Sequence, residues 1–104
     1  MSGELNIFEE TITGGTTVVT GTEFQLGNDF GGSCAVMHSG TSTVHADLEV
    51  KIDDTNWHKV ITDVSGGSAK TGHVWPGTWR FSVDTDDGND HTLYLRKSFP
   101  QAVI

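Results

Sequence analysis

The clearest pattern in the chain is a strict alternation of apolar and polar residues from Val44 to Ile52. A period of two predicts a β-strand with one apolar face in the core and one polar face outside it. A cluster of turn formers at 53–56 follows, and apolar residues resume at Trp57. We therefore predict a strand, a tight turn and a second strand. The polar face of the first strand, predicted to be solvated or at an interface, consists of His45, Asp47, Glu49 and Lys51.

Shorter alternating runs, separated by turn formers, occupy the rest of the chain. Gly14-Gly15 and the segment 86–90 each predict the turn of a hairpin. The Gly- and Ser-rich segment 65–72 predicts a surface loop. Residues 78–84 and 91–97 alternate again, and no window favours a helix. We predict a single domain over residues 1–104, an all-β antiparallel sandwich or jelly-roll of about eight short strands.

The charge of the chain argues against nucleic acid as a partner. Six basic residues against 14 acidic ones give a formal net charge of −8 over 104 residues. Such a surface repels a phosphate backbone, because affinity for nucleic acid comes largely from Lys and Arg displacing counterions. The first ten residues have neither a basic segment nor a long apolar run, so we expect no signal peptide and no membrane span. We therefore expect the protein to be made in a cytoplasm and to remain there unless it leaves inside an assembly.

The residues capable of catalysis or metal binding lack the spacing of a known site. Cys34 is the single cysteine, which excludes an intrachain disulfide, and its small apolar neighbours favour burial. His38 follows on the same predicted strand face, so a Cys–His nucleophile remains an alternative. The five histidines are scattered and form no metal motif. We therefore predict no enzyme activity, no metal and no cofactor.

The acidic segment from Asp84 to Asp90 resembles a calcium-binding loop only in composition. An EF-hand requires an oxygen ligand at its fifth position, where this chain has Gly88, and a Glu at its twelfth. The segment is explained equally well as a turn, since Asp, Gly and Asn adopt turn conformations readily. Clustered carboxylates can bind hard cations without that motif, so calcium remains open here.

The three tryptophans are the most informative large side chains. Trp79 lies in an alternating run and is predicted to be core, and Trp57 is predicted to cap the core. Trp75 precedes Pro76 in a predicted turn, where the ring can be exposed. An exposed Trp can stack on a sugar ring or anchor a protein interface, whereas burial in the monomer is the alternative.

The segment 53–60, DDTNWHKV, followed by GTWRFSV at 77–83 and HTLYLR at 91–96, resembles a small β-sandwich module of tailed-bacteriophage virion proteins. The resemblance covers residues 43–97, and Asp54 stands where that pattern more often has Gly. It implies a structural virion protein, in particular a capsid decoration (cement) protein on the capsid surface. The alternative it implies is a carbohydrate- or receptor-binding module of a phage tail or fibre.

The resemblance also implies partners, namely the major capsid protein and further copies of the chain in a homotrimer. The N-terminal arm (about residues 1–10) and the C-terminal tail (98–104) carry apolar residues that need a surface to cover them. We predict that both lie at interfaces. The predicted interface residues are Leu5, Ile7, Phe8, Trp75, Phe99, Val103 and Ile104.

Overall fold

The computed structural model describes residues 6–28, 31–84 and 88–97, and within these ranges the chain forms strands and turns with no helix. This confirms the all-β sandwich predicted from the alternating pattern. The nine strands are β1 (Asn6–Thr13), β2 (Val19–Thr20), β3 (Phe24–Leu26), β4 (Gly32–Ser39), β5 (His45–Lys51), β6 (Trp57–Ser65), β7 (Ser68–Val74), β8 (Gly77–Val83) and β9 (Asp90–Lys97).

The strands form two antiparallel sheets. The four-stranded sheet has the order β1-β9-β4-β7. The five-stranded sheet has the order β2-β8-β5-β6, and β3 also pairs with β8. The chain changes sheet at almost every connection, and β5–β6 is the hairpin between consecutive strands. The hairpin predicted around residues 53–56 is therefore confirmed.

Two other predicted hairpins are wrong. β1 pairs with β9, and β2 pairs with β8, so the chain passes from one sheet to the other at Gly14-Gly15. The amide of Gly14 accordingly donates to the carbonyl of Asn89 on the adjoining connection. Likewise, β8 and β9 lie in different sheets, so the segment between them crosses the sandwich. Glycine permits a turn or a crossing equally well, and the pairing partner decides between the two.

The segment 65–72, predicted to be a surface loop, is mostly a strand. Gly66 and Gly67 form the turn, and β7 begins at Ser68. Gly67 has φ of +84°, a conformation that glycine adopts without the cost a side chain would impose. Gly, and to a lesser degree Ala and Lys, are poor strand formers, but pairing with β4 over the whole strand overrides the local preference.

The core lies between the two sheets and contains the inward positions of the alternating runs. Three phenylalanines stack in it, with ring centroids of Phe8 and Phe24 4.0 Å apart and those of Phe24 and Phe81 5.9 Å apart. Trp79, Leu93 and Leu95 are fully buried, as their alternation predicted. The other buried apolar side chains are Ile12, Leu26, Cys34, Val36, Val44, Ala46, Leu48, Val50, Ile61, Val64, Val74 and Val83.

Candidate docking surface

One end of the sandwich exposes large apolar side chains. Trp75 is 41% exposed and Ile52 is 64% exposed. Val50 pairs with Trp79 near the start of β8, so Ile52, two residues beyond Val50, lies at the end where Trp75 and Pro76 lead into β8. We call this surface, made of Ile52, Trp75 and Pro76, the Trp75 end. The alternation had assigned Ile52 to the core face, but β5 ends at Lys51 and leaves Ile52 outside the sheet.

The neighbouring structure holds Trp75 in place. The buried indole of Trp79 donates from Nε1 to the carbonyl of Trp75 at 3.0 Å. The two rings meet edge to face with centroids 5.1 Å apart. This bond satisfies the only polar atom of the Trp79 side chain, and it fixes the backbone of Trp75 over the core. The Trp75 ring is thus preorganised, with two-fifths of its surface available to a partner.

The turn beside Ile52 is closed by its own carboxylate. Oδ1 of Asp53 accepts hydrogen bonds from the amides of Thr55 and Asn56, each at 2.9 Å. The Asn56 side chain donates to both oxygens of Asp53 at 3.0 Å. These hydrogen bonds lower the pKa of Asp53. The bonds from the Asn56 side chain have the largest effect, and those from the two amides have smaller ones. The carboxylate therefore serves the turn, and Asp at this position stabilises the local conformation that presents Ile52.

The predicted interface residues fall into three groups. Trp75 is exposed at the Trp75 end. Ile7 and Phe8 are partly buried and pack against the core of their own chain, where Phe8 stacks on Phe24. Phe8 thus has a packing partner within the monomer, because β1 is a full strand of the sheet. The remaining predicted residues, Leu5, Phe99, Val103 and Ile104, lie outside the described residues.

The strand register nevertheless shows where those segments join the sandwich. Asn6, which begins β1, pairs with Arg96 near the end of β9. Lys97 pairs with Cys34 near the start of β4, which in turn lies beside the end of β7. Because β7 leads directly into Trp75, β1 begins and β9 ends at the Trp75 end.

The middle of the polar face of β5 is buried under ion pairs, which corrects the prediction of a solvated or interface surface for Asp47 and Glu49, whereas His45 and Lys51 at its ends are partly exposed. Asp47 is only 5% exposed and Glu49 only 6%. Lys59 Nζ lies 2.6 Å from Oδ2 of Asp47 and 3.8 Å from Oε2 of Glu49. Arg80 donates from Nε to Oε1 of Glu49 at 2.8 Å. β5 is flanked by β6 and β8, whose long cationic side chains cover its carboxylates.

Asp47 also completes the backbone of β6. The pairing of β5 with β6 shifts register twice between Ala46 and Glu49, and Asp63 in this irregular stretch has φ of +59°. Oδ1 of Asp47 accepts the amide of Asp63 at 2.9 Å. The hydrogen bond to Asp47 is the main cause that raises the pKa of Lys59. One oxygen of Asp47 thus binds the Asp63 amide in the irregular stretch of β6, and the other binds the ammonium of Lys59. Because both oxygens are engaged, neither is open to a ligand.

Trp57 lies at the rim of this charged face. The guanidinium carbon of Arg80 sits 4.0 Å from the Trp57 ring centroid, and Lys51 Nζ lies 5.8 Å from it. Trp57 was predicted to cap the core. It is half-buried and stacks on Arg80 instead, because it starts β6 opposite Lys51. The stack holds the Arg80 side chain over Glu49.

A pair of buried histidines lies at the opposite end of the four-stranded sheet. Nδ1 of His38 is 2.7 Å from the carbonyl of Val64, and its Nε2 is 2.8 Å from Nδ1 of His91. A carbonyl only accepts, so neutral His38 carries its proton on Nδ1 and accepts from His91 through Nε2. Burial is the main cause that lowers the pKa of His38. Sequence spacing held no signal for this pair, since the two residues are on different strands.

His38 borders an open cavity of about 420 Å³ beside Met37, Ser68 and Tyr94. Both ring nitrogens of His38 are already bonded, so it presents no free base to the cavity. These bonds also leave His38 no free nitrogen to accept a proton from the Cys34 thiol, so the Cys–His alternative is unsupported. Cys34 is buried, and burial raises the pKa of its thiol, which disfavours the nucleophilic thiolate.

The acidic segment 84–90 is described only in part, since residues 85–87 lie outside the described ranges. The carboxylate of Asp90 accepts a hydrogen bond from the hydroxyl of Thr13 at 2.7 Å. Oδ2 of Asp84 lies 3.8 Å from Nδ1 of His45. Across the described ranges, no three His, Cys, Asp or Glu side chains converge in a way that could hold a metal ion. No helix long and apolar enough to span a membrane occurs in these ranges either.

Comparison with known proteins gives one likeness in structure. No protein-family model matches the chain, and no characterised protein sequence matches it. The crystal structure of the Yersinia pseudotuberculosis-derived mitogen is similar, with a TM-score of 0.62 and 14% sequence identity. The match covers 94% of this chain and 91% of the mitogen. At this level of identity the likeness shows the fold, a β-sandwich, and nothing about activity.

Proposed function

We propose that this chain is a non-enzymatic structural subunit of a tailed-bacteriophage virion, a capsid decoration protein that docks on the major capsid protein through the Trp75 end. The observation that carries the proposal is the exposure of Trp75 and Ile52 on a surface where β1 begins and β9 ends. Exposed apolar side chains clustered at one end favour a protein partner. The phage setting comes from the sequence resemblance alone, and the homotrimer it implies stays a prediction.

The chemistry of the other polar side chains supports a structural role. The carboxylates of Asp47 and Glu49 are covered by cations, and the imidazole of His38 is fully bonded. General acid or base catalysis needs a group that can reach a substrate and exchange a proton with it. These three buried groups are instead engaged in holding strands together. Their arrangement suits a rigid subunit that presents a preformed surface.

Docking would stabilise the shell through many identical contacts. Complete burial of a fully exposed large apolar side chain contributes about 1.5–3 kcal/mol, and docking would add a part of that for Ile52 and Trp75, which are 64% and 41% exposed. The contribution of one subunit is offset in part by the entropy lost on association. Repetition over the shell allows modest contacts to resist internal pressure together. Trp75 is suited to anchor such a contact, because its backbone is already fixed by Trp79.

The test is co-sedimentation of the purified protein with capsids that lack it. We expect the Ile52→Ser/Trp75→Ser variant to lose binding, since both exposed side chains become polar or small. Val18→Ser is the matched control, because Val18 is 53% exposed at the opposite end, beyond the last residues of β8. Equal binding by the double variant and the control would refute docking through the Trp75 end.

The tail prediction needs a separate variant. Deletion of residues 99–104 removes Phe99, Val103 and Ile104, and we expect capsid binding to collapse if this segment reaches a neighbour. Circular dichroism should first show that the truncated protein remains a β-sandwich. Unchanged binding by the folded truncation would limit the docking surface to the sandwich.

The alternative function is a carbohydrate- or receptor-binding module of a phage tail or fibre. The observation that favours it is again the exposed ring of Trp75, which can stack on a sugar. Under this alternative, Trp75→Ala should abolish binding to a glycan found by array screening, while deletion of 99–104 should leave glycan binding unchanged. Glycan binding that is insensitive to Trp75→Ala would exclude this site.

A further inference from the structure

The four outer edges of the two sheets differ in how well they are protected against pairing. An edge strand presents unpaired backbone groups, and proteins blunt such edges with bulges, short strands or covering segments. β2 and β3 are only two and three residues long. β6 shifts register twice and contains Asp63 with positive φ. These features make both edges of the five-stranded sheet poor templates for another strand.

The edge at β1 is also protected. Its pairing with β9 shifts register between Asn6 and Phe8. The carboxylate of Glu10 holds the amide and hydroxyl of Thr22, at 3.0 Å and 2.7 Å. A side chain added at Gly21 would collide with Glu10 and approach Ile12, so this segment packs closely against β1. The chain itself therefore flanks this edge.

The β7 edge differs from the other three in being a full-length strand whose pairing shows no irregularity. β7 pairs with β4 from Gly32 opposite Val74 to His38 opposite Ser68, and its register never shifts. It contains no proline, and residues 68–71 and 73 are exposed. Among the described strands, none pairs with its outer side. Lys70, its one cation, is turned toward β6, where Nζ donates to the carbonyl of Thr62 at 2.9 Å. Lys70 and the close packing of Ile61 on Gly72 hold β7 against β6, so the feature that distinguishes this edge is its regular register with no strand partner on its outer side in the described part of the chain.

The sequence of β7 is suited to pairing with a second copy of itself. Facing residues of an antiparallel pair point to the same side of the sheet. In a pair related by a two-fold axis, one residue must therefore face its own copy, and the axis lies midway between the two. An axis at Thr71 matches all seven residues of the strand. It places Thr71 opposite Thr71, a favourable cross-strand pair, and Lys70 opposite Gly72. An axis at Lys70 would oppose two cations and match fewer residues.

We propose that two copies of this chain associate through their β7 edges, antiparallel about a two-fold axis at Thr71, to form one continuous eight-stranded sheet. This mode of recognition uses backbone hydrogen bonds for affinity and the facing side chains for register. An isologous contact closes at two copies. The proposal goes beyond the decoration role and differs from the homotrimer that the resemblance implies. It does not involve the Trp75 end, so either proposal can fail alone.

The test measures molar mass by light scattering over a concentration series. Each chain has a mass of 11.2 kDa, and the wild type should approach twice that value. Thr71→Asp opposes two carboxylates at the axis and should raise the dissociation constant by about tenfold or more. Thr20→Asp, on the exposed edge strand β2, is the matched control and should leave the dimer intact. Circular dichroism confirms that both variants fold.

A cross-link reports the register directly. Cβ atoms of facing residues lie about 4.5–5.5 Å apart, so Thr71→Cys should form a reducible disulfide dimer on mild oxidation. Thr20→Cys should not. A monomeric or trimeric wild type, a Thr71→Asp variant that dimerises like the control, or a failure of Thr71→Cys to cross-link would each overturn the proposal.

Discussion

Removal of the Asp47 carboxylate tests whether the buried carboxylates of β5 hold the β5–β6 hairpin together. In the Asp47→Ala variant, the ammonium of Lys59 loses its 2.6 Å partner and the amide of Asp63 loses its acceptor. The Asp47 side chain is only 6% exposed, so water can replace its two lost interactions only poorly. We expect a folded protein of clearly reduced stability.

The magnitude follows from the two bonds. Lys59 is 53% exposed, so its ion pair is partly screened and contributes about 1 kcal/mol. The partly buried amide of Asp63, left without an acceptor, costs about 1–2 kcal/mol. The sum of about 2–3 kcal/mol should lower the urea midpoint by about 2–3 M, given a slope of about 1 kcal/mol per M. Asp47→Asn keeps an acceptor for Asp63 and should lose about half as much.

The assay is equilibrium urea unfolding followed by tryptophan fluorescence. Asp54→Ala is the control, because Asp54 is exposed in the neighbouring turn, and it should stay within about 0.5 kcal/mol of the wild type. An Asp47→Ala midpoint that matches the control would refute the inference that this carboxylate organises β5 and β6. Equal losses in the Ala and Asn variants would show that the ion pair dominates and that the Asp63 amide contributes little.

Three further predictions concern the core and the buried titratable groups. Gly72→Ala places a Cβ 2.6 Å from Cγ1 of Ile61 and should destabilise by about 1–3 kcal/mol in urea unfolding, whereas Gly27→Ala, with open space around it, should not. Burial lowers the pKa of His38 below its unfolded value near 6.5, so stability should be complete above about pH 6.5 and fall as the pH drops below it. A His38→Gln variant whose stability falls equally over that range would exclude His38 as the cause. Because burial raises the pKa of Cys34, a thiol reagent should label it slowly in the native state and rapidly in urea, and fast native labelling would contradict its burial.

Local features of the fold were predictable because they depend on neighbours in sequence. The hairpin of β5 and β6 is one example, since its alternation, turn residues and returning strand are contiguous. The crossings at Gly14-Gly15 and before β9 were not predictable. The same residues permit a hairpin, and the outcome depends on pairing with strands about 80 residues away, as between Thr11 and Thr92.

The polar face of β5 shows the same limit for the site. Alternation correctly separated Leu48 from Asp47 and Glu49, but it could not reveal what covers the outer side. Arg80 reaches Glu49 from a strand 31 residues later. The place of Trp75 in a turn left exposure and burial open as alternatives, and the structure shows it exposed. The exposure of Ile52 was missed because the alternation continues one residue past the end of β5.

The most direct test of the proposed decoration role is the copy number of the chain in virions purified from cells that carry its gene. Quantitative mass spectrometry would compare the chain with the major capsid protein in the same particles. We predict a high copy number in a fixed ratio to the major capsid protein, as docking over the whole shell requires. Absence from the particles, or a few copies confined to one vertex, would contradict the proposed function.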